Sequence, residues 1–265
     1  MLNQGFMKLL DNSAEFSEIS NALENKISPF NISGVTESVA SHLAFCVAKK
    51  CGRSAVLVAP DGVTARRLFE DMKFFDSDCM LFHDKELIFY DIDTSANDIT
   101  AKRIQVLDYM LKNDDFTVIT TISALLSVTA DTDAFKSHCI TFTEGVDAEE
   151  NLAEKFEILG YTREEILEGQ GQFCIRGGII DFFPFNSDLP YIVELFDTEV
   201  DTVRTFDPIT QRTVERTQSV SVAPACEYIL PKDARTKFLE KLKVFASTAI
   251  DKTQVNKEIE KFENG

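Results

Sequence analysis

Tryptophan is absent from this chain of 265 residues, histidine occurs three times, and the six cysteines form no C-x-x-C pair. Each absence excludes something. Cys46, Cys51, Cys79, Cys139, Cys174 and Cys226 are scattered through apolar or helical surroundings, which excludes a zinc ribbon and points to reduced thiols. His42, His83 and His138 lie far apart and none has H-x-x-x-H spacing, so no metal centre is expected. No run of about 18 apolar residues occurs, and no basic segment followed by an apolar one opens the chain. A soluble, cytoplasmic protein is expected. Positive charge is also short: 27 Lys and Arg stand against 44 Asp and Glu, a net charge of -17. Long-range attraction to nucleic acid is therefore excluded as the main purpose of this region. Ser123 and Ser127 lie in no G-x-S-x-G elbow, and no enclosing cleft is evident for a paired-carboxylate mechanism.

What is present is a large apolar fraction, 44%, with 22 phenylalanines, enough for one large or two modest cores. Residues 1–27 carry Met7, Leu9, Leu10, Phe16, Ile19 and Leu23 near helical spacing, with Asp11, Asn12 or Ser13 as cap or break. Ile32 is read as ending a short strand. A helix follows from Glu37, with Val39, Leu43, Cys46 and Val47 on one side and Gly52 as its stop. SAVLVAP, residues 54–60, reads as a buried parallel strand. A helix from Asp61 carries Leu68, Met72 and Phe75, and residues 79–82 form a second strand. A helix capped at Ser95 or Asn97 presents Ile99, Ile104, Leu107 and Met110 or Leu111 inward. Residues 116–121 form a third buried strand, and a short helix follows. This alternation defines an α/β layer with a parallel sheet.

After Val128 the pattern becomes that of an antiparallel α+β domain. Residues 135–145 read as a strand entering a turn, and a helix opens at Asp147 or Ala148 and closes at Gly160. The stretch GQGQFCIRGGIIDFFPF, residues 169–185, alternates as a strand that Gly177 and Gly178 break or bulge. Two more strands, joined through Asp197, Thr198 and Glu199, place Val193 and Leu195 on one face and Ile192, Glu194 and Phe196 on the other. With Phe196 outside, Arg176 and Phe196 are presented together; with Phe196 inside, it is a core residue beside a surface arginine. The carboxylates at 181, 194, 197, 199, 201 and 207 read as solvated faces, salt bridges and turn caps. Beyond Pro231 a charged helix returns.

GVTESVAS, residues 34–41, invites comparison with a phosphate-binding loop, G-x-x-x-x-G-K-[ST]. Gly34 and Ser41 fit, but Val39 takes the second glycine position, Ala40 the lysine position, and Glu37 adds negative charge where phosphate would lie. The loop lacks the cation and the backbone freedom that the chemistry needs.

The run GQGQFCIRGGIIDFFPFNSDLPYIVELFDTEVDTVRTFDPITQRT, residues 169–213, with GYTREEIL before it, resembles the UvrB-homology region of the bacterial transcription-repair coupling factor (Mfd) family. VLVAPDG, HDKELIFYD and VITTISALL extend the likeness upstream over nearly the whole chain. The resemblance implies an α/β fold. Residues 1–127 would be a RecA-like parallel-sheet domain 1a without an ATP site. Residues 128–222 would be an inserted α+β domain 2 of the UvrA-binding type, and residues 223–265 the start of a domain 1b that runs on in a longer chain. It implies a non-catalytic, cofactor-free module that recruits UvrA within an ATP-dependent DNA translocase. It further implies that a C-terminal domain masks the module intramolecularly and that other parts reach RNA polymerase and DNA. The family's UvrA-contacting positions fall at Arg176, Ile192 and Phe196, and Ile192 departs from the arginine expected there, with Arg204 a neighbour that would compensate. The alternatives are a nucleotide-binding helicase fragment using the 34–41 loop, and a structural autoinhibitory domain. Calorimetry with ATP and magnesium separates a binding module, which gives no saturable heat, from the nucleotide-binding fragment, which does.

Overall fold

A computed structural model describes residues 10, 13–85, 93–127, 129, 132–227, 229, 232–248, 255, 256 and 259. Met7, Leu9, Asp11, Asn12 and residues 86–91 of the HDKELIFYD run lie outside the described residues. The chain has an α/β fold with a three-stranded parallel sheet, a six-stranded mainly antiparallel sheet and a two-stranded antiparallel pair among the described residues.

The first layer runs α1 (Ala14–Glu24), α2 (Glu37–Cys51), β1 (Ala55–Ala59), α3 (Gly62–Phe75), β2 (Met80–Phe82), α4 (Asp93–Lys112), β3 (Thr117–Thr121) and α5 (Ile122–Leu126). Local chemistry sets several of these ends. The Ser13 hydroxyl accepts from Phe16 N at 3.2 Å, and Asp61 accepts from Thr64 N at 2.8 Å. Gly52, at φ 59, takes the left-handed conformation that stops α2. The three strands are parallel in the order β1-β3-β2, so β3 is central and buried throughout.

Sequence and structure differ at four places in this layer. β1 is an edge strand and not a doubly covered one, because Val56 and Val58 are 47% and 46% exposed while Ala59 is buried. Residues 27–33, including Ile32, form no strand. In α2 Leu43, Cys46 and Val47 pack as expected beside the buried Phe45, but Val39, in the first turn, is exposed. α4 begins at Asp93, ahead of the expected caps at Ser95 and Asn97.

The second part runs α6 (Thr132–Ser137), β4 (Ile140–Thr143), α7 (Leu152–Ile158), β5 (Thr162–Arg163), β6 (Gln172–Arg176), β7 (Ile179–Phe183), β8 (Tyr191–Phe196), β9 (Glu199–Phe206), β10 (Thr213–Thr217), β11 (Ser219–Val222) and α8 (Lys232–Thr248). Six strands lie in the order β10-β9-β8-β7-β6-β5, antiparallel except where the short β5 runs parallel to β6. β4 and β11 form a separate antiparallel pair. The strand expected over 135–145 is helical as far as Ser137. The helix expected from Asp147 starts only at Leu152, because Asp147 bridges to Glu199 and Ala148 N donates to Thr198 O at 2.8 Å. Those backbone groups are already used by the β8–β9 turn, so they cannot open a helix.

Aromatic residues fill the space under the six-stranded sheet. Phe173, Ile180, Phe182, Val193 and Val203 point inward and meet Phe142, Phe156 and Tyr161. The Phe156 ring stacks on Phe173 with centroids 4.8 Å apart, and Phe142 stacks on Phe182 at 5.6 Å. Tyr161 keeps its hydroxyl satisfied by donating to Ala223 O at 2.9 Å. A buried ion pair ties the parts together: Arg103 of α4, fully buried, donates to Glu227 at 2.7 and 2.9 Å, to Ser127 Oγ at 2.8 Å and to His83 O. Its guanidinium lies 4.0 Å over the Phe82 ring. Gln105 on the same helix donates to Phe185 O at 2.7 Å, and Asn186 donates to Asp108 at 3.0 Å.

Phe156→Ala removes the ring on which this aromatic cluster converges. It is expected to lower unfolding stability by about 3–5 kcal/mol, read as a lower urea midpoint.

Candidate protein-docking face

The same alternation that fills the core also builds the opposite face of the sheet. Gly177 and Gly178 form a two-residue turn between β6 and β7, with Arg176 paired to Ile179, and not a bulge within one strand. Gly177 has φ 62, and a Cβ at Gly178 would lie 2.8 Å from Leu195 O. Leu195 N donates to Gly178 O at 2.7 Å, so the turn is drawn tightly onto β8. A bulge does occur one strand away, between Glu194 and Leu195 where β8 meets β9.

Register then places the outward side chains in rows. Cys174, Asp181, Ile192, Arg204 and Arg216 are successive cross-strand neighbours from β6 to β10. Arg176, Ile179, Glu194 and Thr202 form the next row. Phe196 stands beyond that row at the end of β8, opposite Glu199. Strand spacing and rise put roughly 12 Å between the Cα atoms of Arg176 and Phe196. Phe196 is 81% exposed, the Arg176 side chain 58%, and Ile179 also reaches solvent. Ile192 shares this face but is half-buried, packed against a small outer cluster of Leu167, Cys174 and Phe206. All three sequence-derived positions, Arg176, Ile192 and Phe196, are therefore on one side of the sheet, two projecting and one seated in a local core.

Two ion pairs lie on this face. Arg204 Nη2 donates to Glu194 Oε1 at 2.7 Å, and that bond holds the Glu194 carboxyl below its usual range. Arg204 lies opposite Ile192, with its guanidinium engaged by Glu194. Arg176 Nη2 donates to Asp181 Oδ2. Asp181 is one of the expected salt-bridged carboxylates, but it is buried as well: it is only 6% exposed, and its Oδ1 has no hydrogen-bond partner. Burial pushes its carboxyl above the ordinary range, against the opposing pull of Arg176 and Arg204. Asp207, in contrast, is the turn cap expected, accepting from Thr210 N at 2.7 Å.

The 34–41 segment has a different geometry. Gly34, at φ 79, leads into α2, and Ala40 N donates to Thr36 O at 2.9 Å within the first helical turn. Val39 is exposed, and Ser41 is buried with its hydroxyl directed at Leu68 O, 3.4 Å away, on α3. The hydroxyl that fits the phosphate-loop pattern is thus turned into the helix packing.

A rigid sheet that presents a projecting aromatic and a half-anchored arginine defines a protein-interaction module. Residues 140–228 match the UvrB interaction domain family. The chain is 27% identical over 260 residues to a transcription-repair-coupling factor of Bacillus subtilis (strain 168), covering 97% of this chain and 22% of the relative. It is 27% identical over 202 residues to the factor of Escherichia coli (strain K12), covering 76% of this chain and 18% of the relative. A UvrABC system protein B of Legionella pneumophila (strain Lens) is 25% identical over 251 residues, covering 88% and 38%. The chain thus contains a UvrB-interaction-domain region homologous to transcription-repair coupling factors and UvrB proteins, and spans about a fifth of the coupling factors' length. Residues 140–228 correspond to an interaction domain and not to a catalytic core. No helix among the described residues is long and apolar enough to cross a membrane.

Sequence reasoning missed Asp181 as a buried group and Arg103 with Glu227 as a hub. The face of the first was legible, since a two-residue turn after Arg176 puts residues 174, 176, 179 and 181 on one side, but its burial was not. The second pairs positions 124 residues apart and leaves no local signal.

Asp181 has a native pKa above its unfolded value. Its contribution to stability is therefore fully present below the ordinary carboxylate range and is lost as pH rises through the raised value. The unfolding free energy of the parent relative to Asp181→Asn is expected to fall with rising pH across that window, checked by urea titrations of both proteins at stepped pH.

Proposed function

We propose that this region is the UvrA-recruiting module of a transcription-repair coupling factor, acting by protein–protein recognition with no chemistry of its own. The observation that carries the reading is the shared outer face of β6–β9, where Arg176 and Phe196 project from one rigid sheet. Phe196 supplies buried area at the centre of the contact, and Arg176 supplies a directional, charge-assisted bond to an acidic group of UvrA. Ile192 supports the face from beneath, in the place where the coupling-factor pattern has an arginine. The net charge of -17 favours a partner surface with local basic character and disfavours independent DNA binding.

In this reading residues 1–127 form a RecA-like domain 1a without ATP chemistry, residues 128–222 an inserted domain 2 that carries the docking face, and residues 223–265 the start of domain 1b. The intact cytoplasmic protein is an ATP-dependent translocase. Its C-terminal domain masks the face at rest, and its other parts engage RNA polymerase and DNA. The Val39 and Ala40 replacements and the inward Ser41 hydroxyl support the absence of nucleotide chemistry at residues 34–41.

Phe196→Ala is expected to leave the unfolding midpoint unchanged, because the ring is outside the core. It should weaken UvrA capture by about 2 kcal/mol, roughly thirtyfold in Kd. Undiminished capture by an Arg176→Ala, Phe196→Ala double variant in a UvrA pull-down would sink the proposal.

A further inference from the structure

Asp181 is an unusual occupant of its position. It sits in the middle of a six-stranded sheet, on the outer face, between Cys174 and Ile192. The residue is 6% exposed, one carboxylate oxygen has no partner, and the other is held by Arg176. A buried carboxylate with half its hydrogen-bonding capacity unused costs stability, and a hydrophobic residue would suit the neighbouring cluster of Leu167, Cys174, Ile192 and Phe206 better. The fold therefore gains nothing obvious from a charge here. What the charge does is fix Arg176. Without it, the arginine at the end of β6 is a flexible side chain next to a glycine turn; with it, one end of the guanidinium is anchored to the sheet.

The anchoring is one-sided. Arg176 uses Nη2 for Asp181, and its side chain remains 58% exposed. A guanidinium has five N–H donors in a rigid plane, so a fork tied at one corner still offers an edge to a second acceptor. Arg204, on the same face, is already tied to Glu194 in a half-buried pair, and Arg216 flanks it on β10. Arg176 is the one whose anchor lies beneath it.

We infer that Asp181 is a positioning residue of the docking face: it holds Arg176 in the orientation that receives an acidic side chain of UvrA, so that less side-chain freedom is lost on binding. This deepens the proposed recruitment of UvrA and rests on it. The guanidinium then bridges two carboxylates, Asp181 from below and the partner's from above. Asp181 itself touches no partner atom. Its effect on binding passes entirely through Arg176.

The test is a variant cycle in the intact protein, with UvrA capture as the readout and thermal unfolding as the control. Asp181→Asn keeps shape and removes charge; Asp181→Glu keeps charge and adds a methylene in a packed site. A packing role makes Glu the damaging change. A positioning role makes Asn the damaging one, expected to weaken capture roughly five- to tenfold, with Glu nearer the parent. In an Arg176→Ala background Asp181→Asn is expected to add no further loss. Arg176→Lys, with Asp181 in place, keeps the charge without the fork and is expected to weaken capture by a similar factor.

Capture by Asp181→Asn equal to the parent, while Arg176→Ala and Phe196→Ala both lose it, would overturn the positioning role and leave the docking face standing. An equal loss from Asp181→Asn with and without Arg176 would also overturn it, since the effect would not pass through the arginine. Parental capture by Arg176→Lys overturns it independently of how Asp181 variants fold. Parental capture by both Arg176→Ala and Phe196→Ala would remove the docking face itself, and the inference with it.

Discussion

One face of the six-stranded sheet must be dry, and the placement of the docking residues follows from that requirement. Phe173, Ile180, Phe182, Val193 and Val203 are held under the sheet by Phe142, Phe156 and Tyr161. Strand side chains alternate, so a slip of one residue would put Phe182 in water and Asp181 in the core. The aromatic packing thus sets the register, and the register in turn carries Arg176, Ile192, Glu194 and Phe196 to the other side. The tight turn at Gly177 and Gly178 preserves that parity between β6 and β7, and the pull of Leu195 N on Gly178 O keeps the turn close to β8. A recognition surface on paired strands is more rigid than one on loops, which is what directional contacts require.

A second constraint joins this sheet to the parallel layer. α4 contributes Ile104 to the aromatic core, Gln105 and Asp108 to contacts with the segment after β7, and Arg103 to Glu227. Each nitrogen of the Arg103 guanidinium donates, to Glu227, Ser127 or His83 O, and the group stacks on Phe82, so its burial is compensated. The contrast with Asp181 is physical. Arg103 satisfies its donors within the chain, whereas Asp181 and Arg176 leave an acceptor unused and a guanidinium edge outside.

Much of the fold was legible in the residues. Asp61 and Gly52 end helices as their chemistry suggests, β3 is buried throughout, and the strands from 172 to 206 fall where period-two alternation puts them. The errors have specific causes. SAVLVAP has the composition of a doubly covered strand, but only pairing order reveals that β1 is an edge. FKSHC alternates well enough for a strand, yet it ends α6. Ala148 and its neighbours have good helix propensity, but the β8–β9 turn takes their backbone groups first.

The order of residues already contains an acidic chain without a complete phosphate loop, a glycine turn next to Arg176, and a strand that puts Ile192, Glu194 and Phe196 on one side. Those features are local, fixed by chirality, side-chain size and alternation over a few residues. Only the tertiary structure decided which side faces water. It left Phe196 outside because its face of β8 is turned away from the aromatic core, against which the neighbouring Leu195 packs, and it seated Ile192 in a cluster with Leu167 and Phe206. It also buried Asp181, which in isolation looks like any strand carboxylate, between Cys174 and Ile192 of the flanking strands. Burial is a sum over contacts distant in sequence, and for that reason no local pattern in GGIIDFFP distinguishes a solvated aspartate from one that anchors an arginine.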